Sequence, residues 1–261
     1  MKIIACCKAT PEEQDILVNA DGSLNFDRAA WKMGSYDLNT VEAARQLADA
    51  GGGEVIGLSV GGEALGASKL RKDVISRGLD SFAVVSGADL AALDTYSTAQ
   101  LLAAAIQEQG DVDLVLCGAG SSDEYTQQVG NQLGALLGFA TLNAVNKITP
   151  PADGAKAITV ERVLESEAQT IEVGLPAVLS LTSSINTPRI AGMKDILAAG
   201  KKETTESSAA TYGKEDAVSA PATKAASVLA PQQTARGGEI LEGDTAEVCA
   251  RFVELLSAKL R

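Results

Sequence analysis

Histidine is missing from all 261 residues. That absence removes the Ser-His-Asp and Cys-His nucleophile systems, the common zinc sites and the usual general base of neutral pH. It moves the expectation from catalysis towards binding or carrying. Aromatic residues are scarce at 3%, while apolar residues make up 46%. The core must then be assembled from Ala, Val, Leu and Ile, which suits helices laid against a parallel sheet of aliphatic strands. No apolar stretch approaches the ~20 residues of a bilayer span. No Lys/Arg-rich run interrupts a formal net charge of −12. Such a chain repels phosphate backbones and anionic lipid surfaces, so neither nucleic acid nor membrane insertion is expected. The opening MKIIACCKATPEEQD is too brief an aliphatic run for a signal peptide and reads as a first strand, so a cytoplasmic location is expected. Cys6, Cys7, Cys117 and Cys249 show no C-x-x-C spacing. They read as small buried apolar residues, with Cys6 and Cys7 on opposite faces of a strand.

What the chain does contain is an alternation. Aliphatic runs at Lys2–Cys7, Glu54–Val60, Ser81–Val85 and Asp113–Cys117 are separated by segments of helical spacing at Leu38–Ala48, Ala67–Ser76, Ala99–Glu108 and Gln127–Leu137. Strand–helix alternation predicts a Rossmann-like α/β fold with a parallel sheet and right-handed crossovers. Ile16–Val18 and Leu24–Phe26, around Ala20-Asp21-Gly22, read as a small hairpin. Ala157–Arg162 and Thr170–Val173 read as an antiparallel pair, and Ala177–Leu181 as another buried strand. From Lys201 to about Ser227 the chain turns polar and small-residue-rich without hydrophobic period, which predicts an extended linker. Helical spacing returns over Thr245–Leu260 through Val248, Phe252, Leu255 and Leu256. The expected organisation is an α/β domain over 1–202, a linker over 203–228 and a C-terminal arm over 229–261.

The segment LCGAGSSDEYTQQVGNQLGALL, Leu116–Leu137, leaves a strand through a Gly/Ser-rich turn and enters a helix. Ligands of open α/β sheets bind beside such strand ends. Gly118 and Gly120 permit close backbone approach, and Ser121, Ser122 and Thr126 bring hydroxyls towards the helix start, where free N–H groups favour a phosphate. An ordinary turn with Ser and Asp as helix caps fits the same residues. No G-x-G-x-x-G or P-loop pattern is present. The adjacent carboxylates Asp123 and Glu124 read as solvated or capping groups rather than an acid/base pair. Met33-Gly34-Ser35-Tyr36-Asp37 leads into a helix with Asp37 as a candidate N-cap. The loop Ile185–Ile190 running into Ala191-Gly192-Met193-Lys194 either buries a corner or exposes Ile190 and Met193 to a partner.

Six segments in order resemble the electron transfer flavoprotein beta-subunit family, and its Fix-type branch of anaerobic carnitine-type electron transfer in particular. They are Met1–Asp15, Met33–Ala44, Lys72–Gly78, Gly118–Leu137, Val160–Arg162 and Leu175–Lys202 (LPAVLSLTSSINTPRIAGMKDILAAGKK), the last close to the family's signature. The resemblance implies a fold like that of the adenine nucleotide alpha hydrolases, and a carrier rather than an enzyme. It implies AMP or a second FAD in this subunit, with the main FAD held mostly by an alpha subunit that the C-terminal arm clasps. By position, the nucleotide would be lined by Cys6, Gly34, Ser35, Tyr36, Asp37, Val60 and Gly118. The rest of the lining would come from Ser121, Ser122, Asp123, Glu124, Tyr125 and Thr126, then Gln127, Gln128, Val129, Gly130 and Gln132. The loop around Ile190 and Met193 corresponds to the one that captures acyl-CoA dehydrogenases. Gly34-Ser35 replaces a commoner Asn-Pro, the paired serines Ser121-Ser122 replace an acidic run, and Ala198 and Gly200 thin the cationic end of the signature. A universal-stress-type nucleotide-binding module is the alternative.

Overall fold

The computed structural model describes residues 1–152, 154–232 and 238–260. The chain opens with β1 (Lys2–Cys6). A short excursion follows in which β2 (Ala9–Pro11) pairs with β5 (Trp31–Met33), and β3 (Leu17–Val18) with β4 (Leu24–Asn25). Then come α1 (Ser35–Gly51), β6 (Glu54–Gly61), α2 (Ser68–Ser76), β7 (Ser81–Ser86), α3 (Thr95–Glu108), β8 (Leu114–Gly118) and α4 (Val129–Leu137). The second half holds β9 (Ala140–Thr149), β10 (Ala157–Val163), β11 (Ala168–Gly174), β12 (Ala177–Leu181), α5 (Met193–Ala199), β13 (Thr204–Ser207), α6 (Glu215–Ser219) and α7 (Thr245–Lys259).

Among the described residues, nine strands form one sheet in the order β11-β10-β9-β12-β8-β1-β6-β7-β13, parallel throughout except at the β9-β10-β11 meander. This is an α/β Rossmann-like fold. The chain steps from β1 to β6 and β7 on one side, then returns through β8 to the other side of β1. The carboxyl ends of β1 and β8 therefore part at a switch point, where such sheets open a crevice. Helices cover both faces. Ile3, Ala5, Cys7, Leu114 and Leu116 point towards α1, α2 and α5, while Ile4, Cys6, Val115 and Cys117 point towards α3 and α4. Alternation along aliphatic strands fills two cores at once, and Cys6 and Cys7 do lie on opposite faces. Three of the cysteines are buried as expected, whereas Cys249 is exposed on α7.

The structure departs from the sequence reading at the edges. The polar texture from Lys201 predicts an extended linker; within it Thr204–Ser207 continues the sheet alongside β7, and Ala209 and Ala217 are buried. Edge strands need backbone partners more than side-chain hydrophobicity, so β13 leaves no apolar period in the sequence. Further on, the Asp94 carboxylate accepts from the Thr223 N–H at 2.7 Å, and the Ala230 N–H donates to the Gly22 carbonyl at 2.8 Å. The segment is thus tied across the carboxyl end of the sheet. Strand β9 has no counterpart in the sequence pattern. Its first residues are mostly exposed, and Ala144 takes a left-handed φ of 57° at a register shift, which blurs any alternation.

Candidate functional site

The switch point gathers residues from three elements. Gly34 is the N-cap of α1, and Tyr36 and Asp37 occupy its first turn. Asp37 is therefore not the cap that the sequence suggested. Its carboxylate turns back onto the sheet, where Oδ2 accepts the Lys8 N–H at 2.8 Å. The Gly118 N–H also donates to it. A Cβ on Gly34 or on Gly118 would come within 2.8 Å of this carboxylate. Both positions are glycine because Asp37 fills the space beside them. Burial pushes the Asp37 carboxyl up to about 7, against the pull of the Lys8 amide, the Lys8 charge and the Gly118 amide.

Tyr36 meets Tyr125 with ring centroids 5.7 Å apart and planes tilted by 47°. Their hydroxyls interact, which with partial burial raises the Tyr36 phenol, while Ser183 pulls the other way. A side chain at Gly120 would run into the Tyr125 ring. The glycines of this turn thus make room for the protein's own side chains.

The loop after β8 is longer than the sequence suggested. Tyr125 and Gln127 adopt left-handed φ values of 49° and 58°, which delays helix α4 to Val129. The hydroxyls of Ser121 and Ser122 are consequently engaged away from the helix start. Ser122 Oγ donates to Thr10 Oγ1 at 3.4 Å, Ser121 bonds Asp123, and the Ser35 and Thr126 side chains are exposed. Asp123 and Glu124 face a cation that no local motif announced. Lys8 Nζ, just past β1, lies 2.8 Å from Asp123 and 3.4 Å from Glu124. Partial burial pulls the Asp123 carboxyl up, but Lys8, the Ser121 hydroxyl and the Glu124 amide outweigh it and hold it below the usual range. Lys8 was legible only as a lone base at a strand's carboxyl end in an acidic chain.

Helix α4 starts without a side-chain cap. Its N-cap, Gln128, instead accepts through Oε1 from Thr95 Oγ1 at 3.0 Å. The first-turn amides of Val129 and Gly130 therefore remain available to an anion. Gly130 has a second reason to be glycine: a Cβ there would strike Ser180 Oγ on β12. One turn along, Gln132 Oε1 is buried and, among the described residues, has no hydrogen-bond partner. Cys6 lies beneath, its thiol raised by a hydrogen bond with Cys117 and by burial. Val60, one strand over on β6, packs against the core on the α3 face. An uncapped helix start, an unsatisfied acceptor and two tyrosine rings are groups that fit an adenine nucleotide. Asp123 and Glu124, with one lysine between them, do not suit its phosphate.

A family model for the electron transfer flavoprotein domain matches residues 23–212, well over half of the chain. The chain belongs to the electron transfer flavoprotein family. Electron carriage by a flavin-associated protein, rather than turnover of a substrate, is the activity this family membership establishes. Among the described residues, no helix is long and apolar enough to cross a membrane. In this electron transfer flavoprotein domain the loop after β12 does not bury a corner. Ile190 is 93% and Met193 73% exposed, and Ile196 and Leu197 extend the apolar surface along α5. Met193 opens α5, and the Gly192 N–H donates to Asp195 at 3.0 Å across the first turn.

Proposed function

We propose that the chain is the beta-type subunit of a heterodimeric electron transfer flavoprotein, of the Fix-type branch, working with an alpha subunit that holds most of the main FAD. The observation that carries this reading is α7. Its N-terminus is capped by Asp244, which accepts from the Ala246 and Glu247 amides at 2.9 and 3.0 Å. Yet none of its residues is buried. Cys249, Phe252, Val253, Leu256 and Leu260 lie within one 100° sector of the helix, and all are exposed. An isolated helix of about 15 residues stands at the margin of stability in water, and packing of its apolar face normally supplies the rest. This stripe is suited to a partner's surface, and an alpha subunit is the partner that the family supplies.

Within the chain the proposed nucleotide is AMP or a second FAD. Val129 and Gly130 amides would take its phosphate, Gln132 Oε1 a donor of the adenine or ribose, and Tyr36 and Tyr125 would offer flat surface. A bound flavin supplies the redox chemistry. The protein's residues orient it, exclude water and present the docking loop to an acyl-CoA dehydrogenase-type flavoenzyme through Ile190 and Met193. In this reading the nucleotide-binding domain ends near 202 and the tail beyond 228 is the clasping arm, with the intervening segment laid on the sheet edge.

Co-expression with an alpha subunit, followed by a nucleotide count, tests the proposal. One FAD and one AMP per heterodimer is the expected result for a simple carrier, and two FAD for a bifurcating one. A stable, colourless homodimer would instead support the universal-stress-type alternative. Met193→Glu should weaken dehydrogenase coupling while leaving bound flavin in place.

A further inference from the structure

The docking loop, residues 182–192, rests on the core through Ile185, but Ile190 points outward, so apolar burial does not hold its tip in place. What holds it is one face of α1. Asn39 Nδ2 donates to the Asn186 carbonyl at 2.8 Å, to Asn186 Oδ1 at 3.1 Å and to the Ser183 carbonyl at 3.3 Å. Asn186 Nδ2 returns a bond to the Asn39 carbonyl at 3.0 Å. One turn along α1, Glu42 receives Arg189 through Nε at 2.7 Å, through Nη2 at 3.2 Å and through the Arg189 amide at 3.2 Å. Arg77, after α2, closes the set by donating to the Arg189 carbonyl at 3.1 Å.

Two features make this arrangement more than a surface ion pair. The Glu42 side chain is only 7% exposed. Burial raises its carboxyl, but Arg189, Gln46 and the Arg189 amide outweigh that and keep it below the usual carboxylate range. A bidentate pair whose carboxylate is buried fixes direction as well as distance, because the guanidinium plane must match the carboxylate. The residue fixed this way, Arg189, immediately precedes Ile190. Pro188, on its other side, narrows the backbone further. The same helix carries Tyr36 and Asp37 three and two residues before Asn39.

We infer that Glu42 and Asn39 are positioning residues for partner recognition: they hold Arg189 and Asn186 so that Ile190 and Met193 are presented as a preformed anchor. This rests on the docking reading above. Glu42 is too buried to touch a partner, so it acts only through Arg189. Pre-organisation of this kind lowers the ordering cost of association without adding a contact.

The test uses the heterodimer with its alpha subunit, reduced by an acyl-CoA dehydrogenase and its acyl-CoA thioester, with carrier flavin followed by absorbance. Glu42→Gln and Asn186→Ala should raise the apparent KM for the carrier, from several-fold to about a hundredfold, the range of directly contacting pairs. The kcat at saturating carrier and the flavin per heterodimer should stay near wild type, and Glu42→Asp should recover part of the loss. Amide hydrogen exchange over 186–192 should quicken in the Gln and Ala variants. Met193→Glu serves as the control. If it raises KM while Glu42→Gln and Asn186→Ala change neither KM nor exchange, the inference is wrong and the docking reading survives. If Met193→Glu is itself silent, the docking reading fails and the inference with it. Loss of flavin in Glu42→Gln would assign the network to the nucleotide site and overturn the inference. Should Glu42→Gln not fold, Arg189→Gln and Asn186→Ala carry the same comparison, since both side chains lie nearer the surface.

Discussion

The substitution Asp37→Asn keeps the shape of the side chain and removes its charge, which isolates the energetic consequence of burying that carboxylate. In the folded chain the Asp37 pKa rises from 3.8 to about 7, with burial as the leading cause. Roughly three pKa units correspond to about 4 kcal/mol of difference between protonation states. The folded pKa is raised, so the native state holds a proton that the unfolded chain gives up between about pH 4 and pH 7. The associated stability is fully present below about pH 4 and is lost as the pH climbs through 7. The asparagine variant would carry no such slope. It would also turn its NH2 towards one of the two donating amides, a constant cost of about 1–3 kcal/mol for an unsatisfied donor. Urea denaturation of both proteins from pH 4 to pH 8 gives a difference curve in which the other carboxylates cancel. The variant should gain on wild type by up to about 4 kcal/mol across that range, most of it between pH 5 and 7. A flat difference curve would show that Asp37 stays ionised at no cost, and the account of the two adjoining glycines as space for a buried carboxylate would fall with it.

Helix α4 packs so closely on β9 that a Cβ at Gly134 would come 3.0 Å from Thr141 Cβ and closer still to its Oγ1. Gly134→Ala should therefore destabilise the chain by about 1–3 kcal/mol through overpacking, measured by the same denaturation. Lys8→Met removes a partly exposed pair worth at most about 1 kcal/mol, so stability should hardly move. AMP or FAD titrated by calorimetry should nevertheless bind more weakly, because Asp123 and Glu124 would add unneutralised negative charge beside the phosphate proposed for the Val129 and Gly130 amides; unchanged affinity would place the ligand elsewhere. Leu256→Glu should leave the chain's own unfolding within about 0.5 kcal/mol of wild type, as an exposed position does. It should abolish co-purification with the alpha subunit, and a heterodimer that survives it would argue against α7 as the clasp.

Much of the architecture could be read from residue order because it depends on local chemistry. Ile3, Ile4 and Ala5, or Leu114, Val115 and Leu116, are aliphatic on both sides because helices cover both faces of the sheet. That run of apolar residues announces a buried parallel strand. The hairpin at Asp21-Gly22 and the helical spacing of α7 from Thr245 were equally legible, each set by local chemistry. The start of α4 was not. Gln127 suits a helix by composition, and only the left-handed turn at Tyr125 and Gln127 keeps it out.

Composition and spacing by themselves determined an aliphatic α/β domain, the strand ends where a ligand would sit, and an amphipathic tail. Tertiary structure alone decided that Lys8 meets Asp123 across 115 positions, that Asp37 is buried rather than capping, and that Glu42 holds Arg189 from 147 residues away. Those pairings carry no periodic signature. Their energies come from desolvation and from geometry, and both exist only once the sheet has brought its carboxyl ends together.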